Sequence, residues 1–327
     1  MARRGGITGG RAALTGGIAA LLLVGCAAQV SPANPVAQYV DEAVTVLESG
    51  LYAGTPEWKA AVEQIRPELY RLSTVSDTYR GITELAEIAG GRHTVFFTPE
   101  KWVAYTQMSD PGTPFPLPTV STDAGVSTLT LPSFAGGTRE SDDLYQDAGI
   151  DALRSAATDT TCGWVIDLRE NTGGNAYPML VSVAPLLDDG RVLGFQDRDG
   201  DIDWVGVDNG NLIVPADYEV DAPTVDLSLS QPVAIVTGPG TASAAESIVM
   251  AFATQQDTLR IGDYTAGFTT GNEVFELDDG AALALSTSTY VDRTGAVYDG
   301  PIAPDAPRGS ASDTVVDAAS DWIRGRC

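Results

Sequence analysis

The sequence is poor in the side chains that most often do chemistry near neutral pH. Among its 327 residues there is one histidine, His93, and there are three cysteines, Cys26, Cys162 and Cys327. No CxxC and no HxxxH pattern occurs, so a zinc site built from those side chains is not expected, and no cofactor is called for. Any histidine chemistry must use His93. Positive charge is scarce as well: 19 Lys+Arg stand against 44 Asp+Glu, a formal net charge of −25. A nucleic-acid binder needs a basic face, so that role is disfavoured. No internal repeat is present. The apolar run at 12–25 is shorter than the ~20 residues a membrane-spanning helix needs.

What is present is a globular composition, 43% hydrophobic, with ample length for a buried core. The length fits two ordinary domains, or one large domain with a side unit. Residues 1–25 begin with Arg3, Arg4 and Arg11 ahead of the apolar run, the pattern of a secretory signal. Its end, Leu23-Val24-Gly25-Cys26, resembles the bacterial lipoprotein signal box. That resemblance implies that Cys26 becomes the lipidated first residue of an extracytoplasmic, cell-membrane lipoprotein of a bacterium; a plain signal peptide is the alternative. Loss of the three arginines leaves a chain three charges more negative than −25. A single lipid anchors a protein to the membrane without spanning it. Outside the cytoplasm disulfides persist, so Cys162 and Cys327 are candidates for a bridge tying the tail to the middle of the chain, with two free thiols as the alternative.

Residues 26–34 read as a tether. Residues 35–91 read as a helical unit, with Val36, Tyr39, Val40, Ala43, Val44 and Leu47 at helical spacing and Pro56 opening a second helix. A third helix is expected over 77–89. Residues 92–327 form an alternating α/β core: strands at 93–97 and 126–131, a helix at 141–157, and a continuous apolar strand at 163–169. A helix at 175–187, a second buried strand at 233–237 and a helix at 243–256 follow. Residues 190–225 hold short strands and acidic turns and are expected to form a small β-rich cap.

Two glycine-punctuated turns join a buried strand to a helix: Asp167-Leu168-Arg169-Glu170-Asn171-Thr172-Gly173-Gly174, and Gly238-Pro239-Gly240-Thr241-Ala242-Ser243-Ala244-Ala245-Glu246. Such turns present backbone N–H groups at a helix N-terminus, where they can hold an anion or the oxyanion of a carbonyl under attack. Ser243 stands beside them, and a serine needs a base to become a nucleophile. The plainer reading is that Ser243 and Glu246 form a capping box and that Gly173-Gly174 is only a turn. Asp167 is expected as a structural acceptor at a strand end. Arg169 is expected to pair with a carboxylate, either a structural one or that of a substrate C-terminus.

Taken together, DLRENTGG, PVAIVTGPGTASAAES, the ending 262–305 with its Pro304-Asp305, and TLTLPSF at 128–134 resemble the S41 peptidases, the tail-specific or C-terminal processing serine proteases. The resemblance spans roughly residues 90–306. It implies an ααβ superhelix core like that of ClpP and crotonases. It also implies Ser243 as nucleophile, with Ala244 N–H and an N–H of Gly173 or Gly174 as the oxyanion hole. Many members carry a base lysine where this chain has Phe268, and Lys59 and Lys101 lie far from that motif. The histidine-using branches, nisin-resistance-like and tricorn-like, place histidine in a Gly-Gly-x-His turn, here Gly90-Gly91-Arg92-His93. The nisin-resistance-like branch also lacks the docking domain, for which this chain shows no obvious room.

The resemblance therefore implies His93 as base, Glu246 or Asp299 as an orienting acid, and acyl transfer on peptides or unfolded proteins near their C-terminus. Activity should then fall as pH drops through the histidine range. Cationic peptides would suit the acidic charge, although that charge equally serves solubility. The rivals are a catalytically silent peptide-binding lipoprotein and a crotonase-like acyl-CoA enzyme, the latter disfavoured outside the cytoplasm.

Overall fold

The computed structural model describes residues 34–215 and 223–327. The chain opens with three helices, α1 (Pro35–Leu47), α2 (Pro56–Leu69) and α3 (Val75–Gly90). The six apolar residues of α1 named above are all buried, so the spacing marks the packed face. Thr55 caps α2, accepting from Trp58 N–H, and Thr74 and Asp77 form a reciprocal capping box on α3. After the Gly90-Gly91 turn comes β1 (Val95–Phe97), then α4 (Pro99–Thr106), a helix the hydrophobic periodicity did not announce.

The chain continues through β2 (Thr119–Asp123), β3 (Val126–Thr130), α5 (Arg139–Ala156), β4 (Gly163–Asp167) and α6 (Ala176–Val183). Three strands follow, β5 (Gly190–Asp197), β6 (Ile202–Asp208) and β7 (Asn211–Ile213). Then come β8 (Val233–Thr237), α7 (Ala244–Ala251), β9 (Thr258–Gly262), β10 (Thr270–Glu276), β11 (Ala282–Asp292), β12 (Ala306–Pro307) and α8 (Thr314–Arg324). Helix α7 stops at Ala251, short of the expected residue 256, because Thr254 adopts a left-handed φ of 65°.

These elements build two sheets. The first runs β12-β9-β8-β4-β3-β2, parallel throughout except for the antiparallel edge pair β2 and β3. Alternation in β4 and β8 divides its residues between two faces. Trp164, Ile166, Val233 and Ile235 join the large core with α5, α6 and α7, whereas Val165, Ala234 and Val236 pack against Val315, Ala319 and Ile323 of α8. Each such large side chain contributes roughly 1.5–3 kcal/mol by leaving water.

The second sheet is antiparallel, in the order β1-β11-β5-β6-β7 with β10 on the other side of β11. Leu283 and Leu285 of β11 turn toward α1–α3 and share their core. Of the segment 190–225, expected as a cap, the strands within residues 190–213 are built into this sheet. Their β5 is paired to β11, and Val192, Leu193, Val205 and Val207 are buried in the large core. That buried apolar face holds them against the body of the molecule.

Cys162, just before β4, is bridged to Cys327, just after α8, with Cα atoms 5.1 Å apart. The bridge pins α8 to the parallel sheet. Among the described residues, no helix is long and apolar enough to cross a membrane.

Candidate functional site

Strands β4 and β8 are parallel neighbours, so their carboxyl ends and the turns that follow lie side by side. Open α/β sheets place ligand sites at such ends. The two turns are laced together. Ala242 N–H donates to Asn171 O at 3.1 Å, and Thr241 Oγ1 donates to Leu168 O at 2.8 Å. Ser243 opens α7 with φ 54°, whereas a capping serine ordinarily sits in the β region. A non-glycine residue held there costs about 1–3 kcal/mol, and such strain clusters at functional sites. Gly173 is packed against it: a Cβ on Gly173 would come within 2.8 Å of Ser243 Cβ and 3.1 Å of Ala244 N.

Glu246 holds this turn from beneath. Its buried carboxylate accepts from Ser243 N–H (2.9 Å), Thr265 Oγ1 (2.6 Å), Gly267 N–H (2.8 Å) and Phe268 N–H (2.7 Å). Burial pushes its pKa up, and the four donors work against that rise. Glu246 thus accepts the Ser243 half of a capping box and also clamps the 265–268 segment. With its lone pairs spent there, it is not the acid that orients His93.

His93 stands across the cleft, between the Gly90-Gly91 turn and β1. Its Nδ1 lies 2.7 Å from Thr270 Oγ1. Its ring packs on Phe268, 4.9 Å between centroids, and the Arg92 guanidinium covers the same phenyl ring at 4.6 Å. Arg92 is itself held by the carbonyl oxygens of Ala266 and Gly267. Burial first and the Arg92 charge second push the His93 pKa down to about 4, while the Thr270 backbone pulls it up. The imidazole is therefore neutral at ordinary pH, the state a base requires. Asp299 shares a small pocket with the back of His93 but is exposed. Among the described residues neither Asp299 nor Glu246 hydrogen-bonds His93. The partner at Nδ1 is a neutral hydroxyl.

Ser243 and His93 line one cleft of about 580 Å³, together with Gly174, Tyr177, Phe195 and Tyr290. Its floor toward α4 is apolar, made by Val95, Phe97, Trp102 and Tyr105, while Glu273 and Glu276 of β10 add negative charge. Tyr290 lines the same cleft as Ser243, and burial keeps its phenol protonated. Among the described residues no hydrogen bond joins Ser243 directly to His93.

Gly173 and Gly174 separate in role. Gly173 N–H is committed to Asn171 Oδ1 at 2.9 Å and the residue is buried, so it is not available as an oxyanion donor. Gly174 is exposed to the cleft. Its N–H and that of Ala244 make no hydrogen bond to another described residue.

Asp167 and Arg169 form a two-pronged ion pair, with Arg169 Nη2 2.7 Å from Asp167 Oδ2. Arg169 also donates to Asp313 and to the Ser310 and Ser312 carbonyls. It therefore ties β4 to the segment before α8 and is spent on structure, leaving nothing for a substrate carboxylate. Cys26, the signal peptide and the tether to residue 33 lie outside the described residues. Among the described residues no group of three or more His, Cys, Asp or Glu side chains converges to hold a metal. Sequence reasoning missed Thr270, Tyr290, Asn272 and Ser286. Asn272 and Tyr290 line the cleft, and Thr270 and Ser286 stand behind His93, all brought there by strand pairing, which leaves no local pattern.

The chain's sequence and fold resemble those of known proteins. The family model of peptidase family S41 matches residues 125–308. The nisin-resistance protein of Lactococcus lactis subsp. lactis is 24% identical over 281 residues, 85% of this chain and 84% of that protein. The chloroplastic carboxyl-terminal-processing peptidase 2 of Arabidopsis thaliana is 28% identical over 48% of this chain, but over only 29% of its own length. Among solved structures, a lipoprotein from Streptococcus agalactiae superposes with a TM-score of 0.76 at 25% identity, covering 89% of this chain and 97% of that one. The photosystem II D1 C-terminal processing protease shares the fold, with a TM-score of 0.58 at 15% identity over 89% and 97% of the two chains. With more than half of its length matched by the family model, including both turns that meet at Ser243, the chain belongs to peptidase family S41.

Proposed function

We propose that this protein is a serine endopeptidase in which Ser243 is the nucleophile and His93 its base, cleaving peptides or unfolded proteins near their C-terminus. The observation that carries the reading is the placement of a strained serine at a helix start in the same cleft as a neutral, half-buried histidine. His93 takes the Ser243 proton as the hydroxyl attacks a peptide carbonyl. The Ala244 and Gly174 N–H groups receive the oxyanion, which backbone donors at a helix start are suited to hold. His93 then gives the proton to the leaving amine, and water releases the acyl-enzyme with His93 again as base. No lysine takes part, since Phe268 fills that place and serves as a lid over His93.

The protein is further read as a bacterial lipoprotein, cleaved before Cys26 and anchored outside the cytoplasm. The signal box 23–26 supports this, and so does the Cys162–Cys327 bridge, since disulfides belong to oxidising compartments. Glu273 and Glu276 on the cleft wall favour cationic peptides as substrates.

A second reading, a peptide-binding protein without turnover, is favoured by one observation: among the described residues His93 Nδ1 is engaged by Thr270 and no hydrogen bond joins the ring to Ser243. Catalytic hydrogen bonds are often long without substrate, so reactivity decides. The test is labelling of the purified protein by a fluorophosphonate. Covalent labelling lost in Ser243→Ala supports the peptidase; a folded wild-type protein that stays unlabelled supports the binder.

A further inference from the structure

We propose that a relay of three neutral side chains, Thr270, Ser286 and Asn272, does for His93 what an acid does in a conventional triad: it fixes the proton on Nδ1 and leaves Nε2 free as the base. The proposal rests on the reading of His93 as the base of Ser243, and its test separates the two.

The directions of the Asn272 and Ser286 hydrogen bonds follow from what each group can do, and the relay requires in addition that the Thr270 hydroxyl points to Ser286 rather than to His93. Asn272 approaches the His93 carbonyl oxygen at 2.9 Å. A carbonyl only accepts, so the atom facing it is the amide Nδ2, and the amide oxygen must face the other way. That oxygen lies 2.7 Å from Ser286 Oγ. An amide oxygen also only accepts, so the Ser286 hydroxyl proton is spent on it. Ser286 Oγ can then only accept from its other neighbour, Thr270 Oγ1, at 3.4 Å. With the Thr270 proton directed to Ser286, Thr270 Oγ1 presents a lone pair to His93, and the 2.7 Å contact requires a proton on Nδ1. Nε2 is left unprotonated. Free histidine in water prefers the opposite tautomer, so this arrangement imposes the less common form.

The fold supplies the relay through one irregularity. Strands β10 and β11 pair Gly271 with Ser288 but Asn272 with Ser286, so one residue of β11 is skipped. Bulges of this kind re-aim side chains beside functional sites. Here the shift sets Asn272 directly across from Ser286, which is fully buried. Ser286 N–H is also held, donating to Thr94 Oγ1 at 3.0 Å, and Thr94 is the residue after His93. The histidine and its relay are thereby fixed at both ends. These three are positioning residues, since none of them touches the reacting atoms.

Because the chain has one histidine, ¹⁵N NMR of the imidazole reads its tautomer without assignment. In the full-length protein at neutral pH, the expected result is a protonated Nδ1 and a pyridine-like Nε2. Thr270→Val, which keeps the shape and removes the acceptor, should move the ring toward the Nε2–H form, and Thr270→Ser should restore the Nδ1–H form. Ser286→Ala, a small change at a buried position, should give a mixture of the two forms and keeps the test open if Thr270→Val fails to fold. Fluorophosphonate labelling should slow by about 10²-fold in Thr270→Val, the lower end of what a general base contributes, and recover in Thr270→Ser. A wild-type protein in the Nε2–H form, or a tautomer unmoved by Thr270→Val, overturns the relay. The Nδ1–H form in a folded protein that never labels upholds the relay and refutes the peptidase reading.

Discussion

The two walls of the cleft are built on different principles. The serine wall is the carboxyl edge of a parallel sheet. Its strands are buried on both faces, its turns are short and locally encoded, and its one buried charge, Glu246, is saturated by four donors. The histidine wall belongs to an antiparallel sheet backed by α1–α3 and carries its functional group in a network of neutral hydroxyls and an amide. One wall is rigid through packing, and the other is specific through hydrogen bonding. In the proposed roles a nucleophile needs fixed backbone donors nearby and a base needs a controlled tautomer, so each principle suits the role proposed for its group.

The sharpest break in the comparison comes from removing the nucleophile. Ser243→Ala should abolish fluorophosphonate labelling and leave thermal stability nearly unchanged, because Glu246 still receives the residue 243 N–H. A stability effect comes next. Breaking the Cys162–Cys327 bridge by Cys327→Ser should cost about 2–5 kcal/mol, since it closes a long loop. The measurement is denaturant unfolding, with labelling of the still-folded protein retained, because the bridge lies on the α8 side of the sheet, away from the cleft.

Glu246 is the tie between the walls. Glu246→Ala leaves the Ser243, Gly267 and Phe268 N–H groups and the Thr265 hydroxyl without their acceptor, for a loss of about 2–3 kcal/mol. Labelling should fall with it, since the 265–268 segment that leads into β10 and covers His93 is released. Calorimetry and labelling rate check the two effects together.

The difference between the walls also governs what the sequence revealed. The serine wall was legible because its signals are local. Apolar strands 163–167 and 233–237 end in glycine-rich turns, and Ser243 with Glu246 is visible as a capping pair. Even there, Gly173 and Gly174 could not be told apart, since the difference lies in Asn171 Oδ1 folding back onto one N–H. His93 was found because no other histidine competes with it. Its partners were not found, because Thr270, Asn272 and Ser286 meet through the register of β10 against β11, which an irregular pairing shifts by one residue. An acid was expected at that place and a hydroxyl occupies it. Helix α8 went unnoticed although Val315, Ala319 and Ile323 are spaced four apart. Those residues pack on the sheet face opposite α5, α6 and α7.

Smaller effects sharpen the histidine wall. With the His93 pKa pushed down to about 4, the base stays neutral through the range where an ordinary histidine titrates. Labelling rate should therefore be flat from about pH 8 to 6 and decline only as pH falls toward 4, below the ordinary histidine value of about 6.5. Stability follows the same sign. The unfolded chain takes up the proton first, so the contribution of neutral His93 is fully present above about pH 6.5 and is lost as pH falls through the folded value. The smallest change is Phe268→Ala. It opens His93 to water and frees the Arg92 guanidinium that rests on the ring. Less burial raises a histidine pKa, so the acid limb of the labelling profile should shift upward from about 4.

The most direct measurement is the rate of fluorophosphonate labelling of His93→Ala against wild type at neutral pH, with circular dichroism to confirm that both are folded. If His93 is the base that activates Ser243 across the cleft, the variant should label about 10²–10⁴-fold more slowly, the contribution of a positioned general base. Equal labelling rates in the two folded proteins would contradict the pairing of the two walls and leave Ser243 activated by some group other than His93.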